Sequence, residues 1–319
     1  MKSYNVLSLF SGCGGLDLGF KKQGFNIIKA VDNDPTVIET YRKNIGDHIE
    51  CLDIKEFNGL LYKNIDVIIG GPPCQGFSLA SNLVRNFKDD PRNYLYKEYI
   101  RIIEEIKPKI FLMENVKNFL NFNSGKFKDD IIEHFKNIGY NIEYKIIKTV
   151  EYGIPQKRER VFFVGTLFNN NFIFIEKSVV KKTIYDVIFD LETKPYDSLW
   201  NHVPMNHSEQ MLLKMSYVKE GKGRECIPEE LKPKTGDVRK YIRLDRNKPS
   251  FCITTDNRKI FHYLFNRALT IRELARIQTF PDNFIFYGNR SSQEKQIGNA
   301  VPPQLSEKFA KKIKEYLNE

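Results

Sequence analysis

Val67-Ile68-Ile69-Gly70-Gly71-Pro72-Pro73-Cys74-Gln75-Gly76-Phe77-Ser78 is the stretch on which the fold turns. Its opening run, Val67 to Ile69, is apolar and short, as in a buried strand. Two glycines then let a backbone or ligand come close, and two prolines stiffen the turn. The turn leaves a thiol at the strand's carboxyl end, the edge of an open α/β sheet where ligands sit. Cys74 is therefore a candidate nucleophile. A free thiol is only a few per cent ionised at neutral pH, yet it is intrinsically very nucleophilic, and nearby cations raise the thiolate fraction. A lone cysteine is more often a buried structural residue; the prolines and the polar loop that follows tip the reading the other way. That loop, Ser78 to Asn93, carries Arg85, Lys88 and Arg92 and is expected to close over a charged ligand.

The rest of the first half repeats the strand–helix alternation. Tyr4–Leu9, Phe25–Val31, Ile110–Met113, Ile142–Val150 and Arg160–Leu167 read as strands. Tyr94–Ile106 places Leu95, Tyr99, Ile102, Ile103 and Ile106 on one helical face. Such alternation predicts a parallel sheet with helices on both sides. Residues 169–265 lose the rhythm, are rich in Lys, Pro and Asn, and read as a second, less regular domain. Order returns with helices at Ile271–Thr279 and Gln304–Tyr316.

The chain has 319 residues, 41% hydrophobic and 28% charged, which is ordinary for a globular protein of one or two domains. No apolar run approaches the ~20 residues of a membrane span, and the first residues lead straight into a strand pattern, so no signal peptide is expected. Five scattered cysteines without metal-ligand spacing predict a reduced compartment and no metal site. The net charge of +10 suits a polyanionic partner, although a solvated basic surface has the same charge.

Leu7-Ser8-Leu9-Phe10-Ser11-Gly12-Cys13-Gly14-Gly15 joins the first strand to the first helix, and such loops bring backbone amides to a ligand. The dinucleotide fingerprint would place a third glycine where this chain has Asp17, so a close-packed pyrophosphate is not expected. Asp32, at the tip of the second strand, is placed for ribose hydroxyls, and Asp53-Ile54 for an adenine. The bland alternative is a tight turn with two capping aspartates. Glu114-Asn115-Val116, read as the end of the strand Ile110–Met113, supplies a carboxylate for acid or hydrogen-bond chemistry, or a strand-end cap. Gln156-Lys157-Arg158-Glu159-Arg160 reads as the opening of another strand, with Arg158 and Arg160 on one face. They would hold an oxygen or an anion, or form a surface salt-bridge cluster.

Taken together and in order, these segments resemble the cytosine-C5 DNA methyltransferases, specifically the short bacterial modification enzymes. Phe10-Ser11-Gly12-Cys13-Gly14-Gly15 is similar to the cofactor loop and Pro72-Pro73-Cys74-Gln75 to the catalytic motif. Glu114-Asn115-Val116 and Gln156-x-Arg158-x-Arg160 are similar to the next two. Arg267-x-Leu269-Thr270-x-Arg272-Glu273 and Gly298-Asn299-Ala300-Val301 complete the set. The resemblance implies a Rossmann-like mixed sheet that binds S-adenosylmethionine and releases S-adenosylhomocysteine. Phe10, Gly12, Cys13, Gly15, Asp32, Asn33, Asp53, Ile54, Pro73, Leu95, Asn299 and Ala300 would line that site. Cys74 would add to C6 of a flipped cytosine, Glu114 would bond N3 and the exocyclic amine, Arg158 would hold O2, and Arg160 would support the network.

The resemblance also implies a domain plan. Residues 1–190, completed by 299–319, would bind cofactor and catalyse; 191–270 would form an irregular, mostly β target-recognition domain; 271–298 would be a hinge. Ser78, Arg85, Arg239, Thr254, Asn257 and Arg258 are the candidate DNA contacts, Ser78 at the flipped nucleotide's phosphate. The implied setting is a cytoplasmic, nucleoid-associated bacterial monomer that acts on double-stranded DNA beside a cognate restriction endonuclease. A tRNA cytosine-5 methyltransferase and a non-catalytic DNA-binding protein on the same fold are the competing readings.

Overall fold

The alternation is realised in a computed structural model that describes residues 3–73, 95–232 and 240–318. Strands β1 (Asn5–Leu9), β2 (Asn26–Asp32), β3 (Ile49–Cys51), β4 (Val67–Gly70), β5 (Ile110–Val116), β6 (Asn141–Lys148) and β7 (Glu159–Thr166) form a seven-stranded sheet in the order β3-β2-β1-β4-β5-β7-β6. Helices α1 (Gly15–Lys22), α2 (Pro35–Asn44), α3 (Leu95–Ile106) and α4 (Lys126–Asn137) connect them. The chain divides into two compact units. The first comprises residues 1–148, 159–176 and 303–319, and the second 149–158 and 177–302.

In the first unit, Val67, Ile68 and Ile69 are fully buried, as a strand covered on both faces requires. Phe111, Met113 and Phe163 meet Tyr99, Ile102 and Ile103 of α3 and Phe135 of α4 in one apolar cluster. Phe162, on the opposite face, stacks on Phe309 of the last helix, Pro303–Asn318, with ring centroids 4.6 Å apart. That helix lies close against α1, where a Cβ on Gly19 would stand 2.3 Å from the Glu307 amide. Strand–helix alternation alone gave a parallel sheet, but the mixed sheet implied by the resemblance is what is found: β7 pairs antiparallel with both β5 and β6. Strand direction is set by how the chain returns, which local periodicity does not carry.

Asp17, in the first turn of α1, is fully buried and accepts a 2.7 Å hydrogen bond from the Tyr41 hydroxyl of α2. Burial pushes its carboxyl up to about 6, against the pull of that hydrogen bond. The folded state therefore favours the protonated acid. Its contribution is fully present below the unfolded-state value of 3.8 and is lost as pH rises through about 6. The difference is worth about 3 kcal/mol. Asp17→Asn should stabilise the protein above about pH 7 and lose that advantage near about pH 4. Urea midpoints at both values check this, and parallel pH profiles for the two proteins would refute it.

The second unit holds helices α5 (Tyr185–Ile188), α6 (Glu209–Tyr217), α7 (Ile271–Ile277) and α8 (Arg290–Asn299). Within its described part of 191–270, strand is limited to β8 (Ile242–Arg243) paired with β9 (Ile260–Phe261). The segment is thus irregular rather than mostly β. Buried arginines hold its loops. Arg243 donates to the carbonyls of Met215, Val218, His262 and Phe265. Arg267 forms a bidentate pair with Glu273 at 2.8 and 2.7 Å. Burial alone would raise the Glu273 carboxyl, but Arg267 holds it below the ordinary range. Glu273 also completes a capping box with Thr270 at the start of α7.

Candidate active site

Sheet register decides what meets at the carboxyl edge of the first unit. Leu9 pairs with Val31 and with Gly70, Gly70 pairs with Met113, and Asp32 pairs with Cys51. The residues that follow the paired ends, Phe10, Asp32, Gly71 and Glu114, therefore emerge in one row. The strand order reverses between β1 and β4, the switch point beside which ligands bind in such sheets. The glycine loop leaves β1 there and the proline turn leaves β4.

The loop is built for backbone access. Phe10 has φ 55°, Gly12 φ 55° and Gly14 φ 89°, all in the left-handed region. A Cβ on Gly14 would lie 2.7 Å from Ile45, whereas one on Gly12 would meet nothing within 4 Å. The Asp32 carboxylate braces the loop, accepting from the Gly12 amide at 2.8 Å and the Asp34 amide at 2.9 Å. Asp53 is exposed and caps a short 3-10 turn through the Lys55 amide, Asn33 is exposed, and Ile54 is part of the apolar core. The capping alternative therefore describes Asp53, while Asp32 holds the loop itself. The open space in front of Gly12 leaves room for a ligand that packs against backbone. Cys13 is no rival to Cys74 as nucleophile, because burial pushes its thiol up to about 12. Gly12→Ala should leave the unfolding midpoint within about 1–2 kcal/mol of wild type, the cost of the left-handed conformation. Cofactor affinity should fall at least about tenfold as the new methyl enters the open space. Calorimetric titration with S-adenosylmethionine reads this directly; unchanged affinity would remove Gly12 from the site.

Glu114 lies within β5 and not beyond its end, since β5 continues to Val116. Val116 stands opposite Arg160 on β7, so Glu114 and Arg160 are diagonal neighbours on one face. Arg160 Nε lies 2.9 Å from Glu114 Oε1, both side chains being at least four-fifths buried. The contact is an ion pair off the N–H direction: Oε1 is buried and receives no hydrogen bond from the described residues. Its acceptor capacity remains for a ligand. A Cβ on Gly71 would sit 3.1 Å from Glu114 Oε2, so glycine is what lets the proline turn pass this carboxylate. Asn115 Nδ2 donates to the Pro72 carbonyl at 3.2 Å and pins that turn. Sequence reasoning missed this positioning role; the motif containing Asn115 was visible but its direction of reach was not. Pro73 and Leu95 flank the stretch 74–94. Cys74, Ser78 and Arg85 lie outside the described residues, as does Arg239.

Arg158 and Arg160 do not share a strand face. β7 begins at Glu159, and Arg158 belongs to the second unit. There its Nη1 donates to the carbonyls of Gly298 at 2.9 Å and Ile253 at 3.3 Å. Gln156 donates to Gln278 and accepts from the Ile253 amide at 3.0 Å, and Gln278 donates to the Ala300 carbonyl at 2.6 Å. These bonds close a ring joining the arginine motif, the segment before Thr254 and the Gly298–Ala300 turn. Asn299 and Ala300 thereby leave the end of α8 exposed and half-buried respectively. Gln278 carried no signal in the sequence reading, because its partners lie 122 residues upstream and at the next motif. Thr254 is exposed. Asn257 is a correction: it is buried, and its amide exchanges bonds of 3.0 and 2.6 Å with the Thr254 backbone. It staples that loop instead of offering a base-reading edge. Arg258 is exposed and paired with Asp256 at 2.9 Å.

With this geometry in view, comparison with known proteins is decisive. The model of the C-5 cytosine-specific DNA methylase family matches residues 4–315. The chain belongs to the C-5 cytosine-specific DNA methylases. It is 44% identical to Type II methyltransferase M1.HphI of Haemophilus parahaemolyticus, covering 98% of this chain and 87% of the relative. It is 37% identical to M.FnuDI of Fusobacterium nucleatum, covering 98% and 95%. A prophage-encoded E. coli protein described as a DNA modification methyltransferase superposes with a TM-score of 0.79 at 28% identity, covering 99% of this chain and 100% of that one. The S. pombe Dnmt2 methyltransferase, at 18% identity and a TM-score of 0.72, shares the fold, with both chains fully covered. This methylase is thus an enzyme of the Type II kind that methylates C5 of cytosine in DNA. No helix of its described residues is long and apolar enough to cross a membrane.

Proposed function

We propose that this methylase modifies one cytosine in a short duplex sequence through a covalent adduct between Cys74 Sγ and cytosine C6, with S-adenosylmethionine as donor. The observation that carries the reading is the Glu114 carboxylate, whose Oε1 is buried. It is ion-paired to Arg160 and set beside a Gly71–Pro73 turn that Asn115 holds at the sheet's switch point.

Cytosine C5 is a poor nucleophile. Addition of the Cys74 thiolate to C6 moves the C5–C6 π pair onto C5 and gives it enamine character. Glu114 would bond N3 and the exocyclic amine, stabilising the adduct as N3 gains a proton. Arg158 would hold cytosine O2, and Arg160 would keep Glu114 in place. S-adenosylmethionine, when bound, supplies an electrophilic methyl group. The chain would hold it with the Phe10–Gly15 loop, Asp32, Asn33, Asp53, Ile54, Pro73, Leu95, Asn299 and Ala300. Loss of the C5 proton to a water molecule returns its bonding pair to the C5–C6 double bond, and the C6–S pair leaves with Cys74 as thiolate. A duplex hides C6, so the base would be flipped out, at roughly a few kcal/mol. Ser78 would meet its phosphate, and Thr254 the adjoining backbone.

Residues 191–270 would read the target, with 1–190 and 299–319 forming the catalytic domain and 271–298 a hinge. Arg85, Arg239 and Arg258 would add cationic contacts. The enzyme would act as a monomer in the bacterial cytoplasm at the nucleoid, protecting sites cut by a cognate endonuclease.

Bisulfite sequencing of a plasmid propagated with the gene, together with transfer of labelled methyl groups to duplex DNA and to tRNA, tests the reading. Methylcytosine at one recurring duplex sequence supports it; label in tRNA alone overturns it.

A further inference from the structure

The second unit contains a groove of about 330 Å³, lined by Asn206, His207 and Met211 on one wall and by Asp256, Arg258 and Lys259 on the other. Its polar groups can be assigned as donors or acceptors. The Ala268 amide donates to His207 Nε2 at 3.1 Å, so that nitrogen is the bare acceptor of a neutral ring and the proton is on Nδ1. Burial and the charges of Arg290 and Arg267 lower the ring's proton affinity and keep it neutral. No described residue accepts from Nδ1. Asp256, the one carboxylate in the groove, already receives Lys240 at 2.6 Å and Arg258 at 2.9 Å. Lys259 has no carboxylate partner among the described residues and sits 5.0 Å from the Tyr241 ring centroid. Apart from the Asn206 amide and the Ser208 hydroxyl, which can act either way, and the Asp256 carboxylate with its two cations, the side chains of the groove present the His207 Nδ1–H donor and the Lys259 charge.

In the major groove, guanine alone shows two acceptors, N7 and O6, with no donor; adenine pairs its N7 with an amino donor, and cytosine shows an amino donor. We propose that this groove reads a guanine of the target sequence, with His207 Nδ1–H donating to its N7 or O6 and Lys259 as the second donor. The proposal rests on the duplex-DNA reading above and adds a base identity to it.

The test uses the target duplex located by bisulfite sequencing. Each guanine is replaced in turn by 7-deazaguanine, which lacks N7, or by 6-thioguanine, whose sulfur accepts weakly. At one guanine, one analogue should lower wild-type kcat/KM about tenfold and lower that of His207→Ala less than about twofold. Wild-type tolerance of both analogues at every guanine overturns the proposal without any variant. So does a His207→Ala protein as sensitive as wild type, or one weakened equally on all sequences, the signature of a phosphate contact. A wild-type protein that methylates no duplex overturns the underlying reading and this proposal with it.

Discussion

Replacing Cys74 with serine is expected to lower the rate of methyl transfer by about 10⁴-fold or more while DNA and cofactor binding persist. A serine hydroxyl stays protonated at neutral pH and is far less nucleophilic than a thiolate, so C6 is not attacked and C5 never gains enamine character. Single-turnover transfer to the target duplex measures the loss, and gel retardation with calorimetry measures the retained binding. A Cys74→Ser protein within tenfold of wild type would end the covalent reading and leave Glu114 to be explained otherwise. Retained binding also separates an enzyme that has lost its nucleophile from a misfolded one.

The second large effect belongs to Glu114→Gln, for which kcat should fall about 10²- to 10⁴-fold, the range for a positioned acid–base group. The substitution keeps shape and one carbonyl acceptor, but it removes the carboxylate's charge and leaves the Arg160 charge, itself four-fifths buried, without its partner. DNA affinity should change less than about tenfold, because the carboxylate acts on the ring as charge develops there. An unchanged kcat would reduce the Glu114–Arg160 pair to a structural ion pair.

Much of the catalytic edge was legible because its signals are local. Val67–Ile69 is apolar, with glycine and proline immediately after it, and the strand is found at Val67–Gly70 as expected. Glu114 and Arg160 were named as candidates from their motifs. That they face each other follows from the β5–β7 register, with Val116 opposite Arg160. A mixed sheet came from the resemblance alone, and that β7 is its antiparallel strand was illegible because period-two patterns are the same in either direction. Arg158 was misread for a related reason: two residues apart implies one face only if both lie in the strand, and β7 begins between them. Asn257 looked like a base reader because asparagine in a basic run has that chemistry. Burial and the Thr254 backbone give it another task.

By itself the sequence determined the strand–helix order, the glycine-rich loop after the first strand, the proline-framed thiol and the ordered motifs that mark a cytosine-C5 methylase. These depend on residue type and short spacing. Only the tertiary structure decided which carboxylate meets which arginine, that Asn115 pins the proline turn, and that Gln156 and Gln278 join distant motifs. It also decided where the proton of His207 resides. Such facts depend on side-chain direction and on partners tens to more than a hundred residues away, brought together by burial of the apolar sheet and by the pairing that most buried polar groups require.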